Sequence, residues 1–134
     1  MTVVVDASAI VAALIDGGQA GDWVTSRIRG ERLIAPHLMP VEVANALRRA
    51  ALAGDVSADG AALAHDDLLH LPVDLAPYAP FAERIWELRT SLTAYDAWYV
   101  ALAEAVDAPL LTIDRRLAAA HGAECRIEVP PAER

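Results

Sequence analysis

The sequence predicts an α/β fold, a three-layer α/β/α domain with a central, mostly parallel sheet. Three observations carry that expectation. Two runs, Thr2-Val3-Val4-Val5 and Pro109-Leu110-Leu111-Thr112-Ile113, are apolar enough to be strands buried on both faces. Each run ends in an aspartate, Asp6 and Asp114, and leads into a helical stretch. The remaining chain alternates short strands with helices, which implies parallel strands joined by crossovers. At 134 residues the chain makes one domain over 1–134, large enough to bury a core without disulfide or metal staples.

In order, Thr2 to Asp6 reads as a Val-rich strand and Ala7 to Ile15 as a helix stopped by Asp16-Gly17-Gly18. Gln19 to Arg29 carries Trp23, Val24 and Ile28 near helical spacing and ends at Gly30. Arg32 to Ala35 is a short strand broken by Pro36. Pro40 to Ala53 is a helix with Pro at its start and Gly54 past its end. Ser57 caps a helix reaching about Leu71. A strand over Pro72 to Leu75 precedes helices over Pro77 to Ser91 and Ala94 to Val106. After the second apolar strand come a short helix from Arg115 to His121, closed by Gly122, and a last strand from Arg126 to Val129, ended by Pro130-Pro131.

Composition narrows the function. Hydrophobic residues make up 55%, which excludes disorder. The single Cys125 cannot pair within the chain and reads as an inert packed thiol in a reducing cytoplasm. No basic leader precedes the first strand, and Ala7 to Ile15 is too short to span a bilayer, so no membrane role is expected. A net charge of −8 argues against nucleic acid unless bound divalent metal cancels part of it. All 11 basic side chains are arginine, which forks well onto phosphate, although an Ala- and Arg-rich composition also explains the missing lysine.

Four acids stand out: Asp6 and Asp114 at strand ends, Glu42 and Asp96 in the opening turns of two helices. Each alone could be a helix cap. As a set they sit at the carboxyl edge of a sheet, where open α/β sheets bind ligands. Carboxylates gathered there repel unless a cation joins them, and oxygen donors suit Mg²⁺ or Mn²⁺. Ser8 and Thr112 place hydroxyls two residues from Asp6 and Asp114, and Asn45 and Arg49 share the helical face of Glu42. The chemistry implied is metal-assisted phosphodiester hydrolysis, with Asp6 and Asp96 as direct ligands and Glu42 and Asp114 holding a second ion or waters of the first. Arg48, Arg49, Arg115 and Arg116, which follow the acids, are the expected phosphate contacts.

Four segments then match a family. Val3-Val4-Val5-Asp6-Ala7-Ser8, Pro40-Val41-Glu42-Val43-Ala44-Asn45-Ala46-Leu47, Leu92-Thr93-Ala94-Tyr95-Asp96-Ala97-Trp98-Tyr99-Val100-Ala101-Leu102-Ala103 and Leu110-Leu111-Thr112-Ile113-Asp114 resemble the PIN domain, in particular the VapC-type toxins of toxin–antitoxin pairs. The resemblance covers nearly the whole chain. It implies a PIN-like fold, RNA cleavage with Mg²⁺ or Mn²⁺, and Asp6, Glu42, Asp96 and Asp114 as an acidic quartet supported by Ser8 and Thr112. It also implies restraint by a cognate VapB-type antitoxin. Many members carry a further acid after the Thr-x-Asp motif, where this chain has Arg115, Arg116 and Leu117.

The apolar excess and the resemblance together imply a homodimer. An antitoxin segment is expected across helices carrying Ile10, Leu14, Val43, Leu47 and Leu63, with an Arg or Lys entering the acidic pocket. Other signals are discounted. His65-Asp66-Asp67 reads as a solvated helix face; His37, His70 and His121 lack ligand spacing; Trp23, Trp86 and Trp98 fall within helical periodicity and read as core or interface. Competing functions are a phosphoacceptor or phosphatase fold, disfavoured by the absence of lysine, a non-catalytic binding module, and a general RNA-processing nuclease.

Overall fold

A computed structural model describes residues 1–132. Five parallel strands form the sheet in the order β3-β2-β1-β4-β5. They are β1 (Thr2–Val5), β2 (Arg32–Pro36), β3 (Val73–Ala76), β4 (Leu110–Leu111) and β5 (Ile127–Glu128). The helices are α1 (Ala7–Ile15), α2 (Gln19–Ile28), α3 (Met39–Leu52), α4 (Ala58–His70), α5 (Ala82–Glu87), α6 (Ala94–Val106) and α7 (Arg115–Ala118).

The handedness of crossovers assigns the layers. From β1 to β2 to β3 the chain steps one way across the sheet, so right-handed connections put α1 to α4 on one face. It then returns over β2 and β1 to reach β4 and β5, which puts α5 to α7 on the other. The packing agrees: α1 touches α2, α3 and α4, whereas α6 lies on β1, β2 and β4 and against α5. The reversal falls between β1 and β4, which pair Val4 with Leu110 and Val5 with Leu111. This switch point opens a crevice beyond the carboxyl ends of these two strands.

The core explains why the strands read as continuous apolar runs. Val3, Val4, Val5, Leu110 and Leu111 are buried on both faces, sandwiched between Ile10, Val24 and Val43 from one layer and Tyr99, Val100 and Leu102 from the other. Helix starts follow their caps: the Ser57 hydroxyl accepts from Gly60 N at 2.9 Å, and the Thr93 hydroxyl from Asp96 N at 3.2 Å. Gly21 is required by close approach, because a Cβ there would lie 2.0 Å from the carbonyl oxygen of Asp16.

Several boundaries differ from expectation. Pro77 to Ser91 is not one helix. A 3₁₀ turn (Ala79–Phe81) precedes α5, and the chain passes through turns from Leu88 to Ser91, since Pro80 starts a new first turn rather than continuing an old one. Only Leu110 and Leu111 of the second apolar run, and Ile127 and Glu128 of the last strand, are in register with their neighbours. The helix after Asp114 stops at Ala118 rather than His121. Trp86 is 67% exposed, not core, with the Arg89 guanidinium 4.6 Å over its ring. Trp98 meets Tyr78 edge to face at 5.4 Å. His65, Asp66 and Asp67 are exposed, as a solvated face requires. Cys125 is a half-buried free thiol whose pKa burial pushes up.

Candidate active site

Asp6 leaves β1 at the switch point and caps α1. Its carboxylate accepts from the Ser8 hydroxyl at 2.7 Å and from Ala9 N at 2.9 Å, and the residue is only 6% exposed. Asp6 N donates to Leu111 O at 3.1 Å, which ties the end of β1 to the end of β4. Immediately after β4, the fully buried Thr112 hydroxyl lies 3.2 Å from the Ser8 hydroxyl and accepts from Asp114 N at 3.0 Å. Ser8 also accepts from Ile113 N at 3.3 Å. The two expected hydroxyls therefore stitch the first and last acids together.

Glu42 comes from the first turn of α3, half-buried, and accepts a 2.7 Å hydrogen bond from the Tyr99 hydroxyl of α6. Asp96 sits in the first turn of α6. Asp114 caps α7 and accepts from Arg116 N at 3.0 Å. The four carboxylates, drawn from four elements, feel one another. Burial raises the pKa of Asp6, opposed by the Thr112 and Ser8 hydroxyls and by Ala9 N, and the Asp96 charge adds to the rise. Burial also raises Glu42, opposed by Tyr99, with Asp6 and Asp96 adding to it. Asp96 is raised by burial and by Asp114, against the pull of Arg116 and Thr93.

Three of them line two cavities. Glu42 and Ser8 line a cavity of about 470 Å³ with Val11, Ile15, Ala46 and Arg49. Asp96 and Asp114 line another of about 300 Å³ with Thr93, Leu117 and Arg116, and Asp6 lines neither. Among the described residues no three acidic, His or Cys side chains close around a point where an ion could sit. Glu42 is tethered by the Tyr99 hydroxyl of α6, and Asp114 by the backbone N and the Nε of Arg116 in α7. The donor set still fits a hard divalent cation, being all oxygen and partly desolvated, with Asp6 and Glu42 held by the neutral hydroxyls of Ser8 and Tyr99.

The supporting residues divide. Asn45 is exposed and lines neither cavity, because Ala46 and Arg49 take the Glu42 face at i+4 and i+7. Arg48 is exposed and lines neither cavity. Arg115 points away and donates to Pro130 O at 2.6 Å. Three of the expected antitoxin contacts, Ile10, Val43 and Leu47, are core residues. The apolar wall beside Glu42 is Val11, Ala12 and Ile15 instead, one residue on along α1 from the expected Ile10 and Leu14. Tyr99 was missed, although its spacing from Asp96 on α6, three residues on, would have put it on the same helical face.

Residues 3–122 match the PIN domain family. The chain is 45% identical to Ribonuclease VapC1 of Mycobacterium tuberculosis over 127 residues, covering 94% of this chain and 96% of that one. In structure it is similar to PAE2754 from Pyrobaculum aerophilum, with a TM-score of 0.71, 30% identity, and 96% of this chain and 84% of that one covered. It also shares its fold with VapBC2 from Rickettsia felis, crystallised on a DNA fragment from their promoter, at a TM-score of 0.69 and 12% identity, with 98% of this chain and 100% of that one covered. The parallel five-stranded sheet, the acids at its switch point and these likenesses agree: the chain belongs to the PIN domain family, in its VapC branch.

Proposed function

We propose that this chain is a Mg²⁺- or Mn²⁺-dependent endoribonuclease that acts as the toxin of a toxin–antitoxin pair. One observation carries the reading: Asp6, Glu42 and Asp96 each have a pKa raised by burial and by another acid of the quartet, an arrangement that costs stability until a cation joins it. Its identity with ribonucleases of the VapC branch supports RNA as the substrate.

In this mechanism Asp6 and Asp96 are the cation ligands, and Glu42 and Asp114 complete the polar shell. When bound, such an ion acidifies a water and offsets the charge of the phosphate under attack. Ser8 and Thr112 fix the rotamer of Asp6, and Tyr99 fixes that of Glu42. Arg49 and Arg116, on the rims of the two cavities, receive the RNA backbone.

A cognate VapB-type antitoxin covers the groove of Val11, Ala12 and Ile15 beside Glu42. Exposed Leu63, Leu69 and Leu75 support a homodimer. No helix among the described residues is long and apolar enough to cross a membrane, and an RNA substrate places the work in the cytoplasm.

The test is cleavage of a structured RNA by the purified chain with Mn²⁺, with EDTA, and by Asp6→Asn. Cleavage that needs the ion and disappears in Asp6→Asn supports the reading. Cleavage that survives EDTA, or none under any condition, overturns it. Co-purification with a small neighbouring protein that silences the cleavage supports the toxin role.

A further inference from the structure

Arg115 and Arg116 are adjacent in sequence and unlike in the fold. Arg115 is committed to the backbone of Pro130 at 2.6 Å. The side chain of Arg116 is 95% exposed, and its Nε lies 3.4 Å from Asp114 Oδ1, a long and weak contact that leaves most of the guanidinium free. The same side chain lines the cavity that holds Asp96 and Asp114. The other end of the site has a different character. There Glu42 is satisfied by a neutral hydroxyl, and Arg49 stands on the rim.

Resting on the ribonuclease reading above, we infer that Arg116 supplies, at the Asp96–Asp114 end of the site, the positive charge that a second metal ion would otherwise bring. Its guanidinium takes an oxygen of the RNA phosphate beside Asp114. The carboxylates then accept one divalent ion, not two. A guanidinium needs no metal to bind phosphate, so this end of the site engages RNA before any cation arrives.

Three readouts test this on the intact chain, and two of them are independent of catalysis. Calorimetric titration with Mn²⁺ should give one ion per chain for the wild type and two for Arg116→Asp, in which a carboxylate replaces the guanidinium. Binding of a short single-stranded RNA in EDTA should lose about 0.7 of its logarithmic salt slope in Arg116→Gln, the equivalent of one phosphate contact. Single-turnover cleavage should fall on the order of 10²-fold in Arg116→Gln and recover to within about tenfold in Arg116→Lys, which keeps the charge without the fork. The exposure of the side chain means that all three variants fold. Two ions in the wild type, or an Arg116→Gln variant with unchanged salt slope and cleavage, overturns the inference and leaves the ribonuclease reading standing. A wild type that does not cut RNA removes both.

Discussion

Removing one oxygen atom at Tyr99 tests whether Glu42 works because it is held. Tyr99 is 2% exposed, and its hydroxyl donates to Glu42 Oε1 at 2.7 Å. Phenylalanine fills the same volume, so Tyr99→Phe deletes the hydrogen bond and leaves the packing. A bond to a charged acceptor contributes about 1.5–3 kcal/mol. Glu42 is only half-buried, and water can take the place of the hydroxyl, so the lower end applies, about 1.5 kcal/mol. In a domain of this size that lowers the melting temperature by roughly 5 °C. Function should suffer more than stability. Freed from Tyr99, the carboxylate samples rotamers that face away from Asp6 and Asp96. Loss of such an orienting partner costs about 10- to 100-fold in metal affinity or activity. The assay is single-turnover RNA cleavage across a Mn²⁺ titration, beside thermal unfolding. Glu42→Gln provides the control, since Tyr99→Phe added to it should cost little more. A Tyr99→Phe variant that melts lower yet keeps metal affinity and cleavage within twofold would refute the orienting role and leave Tyr99 as packing alone.

Three further outcomes are expected. Asp6→Asn keeps a side-chain oxygen for Ala9 N, so in EDTA it should melt no lower than the wild type, while the stabilisation by Mn²⁺ expected of the wild type should disappear; a lower melting point in EDTA contradicts the account of the buried carboxylate. Arg84→Ala breaks the 2.7 and 3.1 Å pair with Glu104 and the 2.8 Å bond to Gly122 O, with side chains 29% and 13% exposed, and should cost about 2–3 kcal/mol in denaturant unfolding, between the figures for exposed and fully buried pairs. The paired Arg27 guanidinium holds the Glu128 pKa below its usual 4.5, so the pair contributes stability that is complete above that value and is lost as pH falls through the depressed one; melting curves of wild type and Arg27→Gln should therefore converge only in acid, and a constant gap down to the lowest pH counts against the pair.

How far the sequence could be read depended on how local the determining physics was. Asp6 and Asp114 were legible because a buried strand ending in a carboxylate is a local pattern, and the pairing of β1 with β4 followed from their shared apolarity. Ser57 announced its helix through capping, which acts within three residues. The broken segment from Pro77 to Ser91 was less readable, since its apolar spacing suits a helix and only Pro80 hints at the interruption. Exposure within a helix was least readable. Ile10, Val11, Val43 and Ala46 are all apolar, and which of them faced the core depended on the placement of α1 against α3. The holding of Glu42 belongs to the same class, because Tyr99 reaches it from another helix.

The stitching of Ser8 to Thr112 joins positions 104 residues apart in the chain. Asp114 can reach Asp6 only after β4 has inserted beside β1, and β4 follows every other element that contributes an acid. A ribosome must therefore deliver nearly all of the polypeptide before the four carboxylates can meet, and each partial product carries Asp6, Glu42 or Asp96 without the partners that would make it dangerous. Long-range pairings of this kind also form slowly. For the proposed ribonuclease, whose substrate would surround it from the first moment of synthesis, the late arrival of β4 works as a safety interval, during which the proposed antitoxin can find the groove on α1 before the blade is complete.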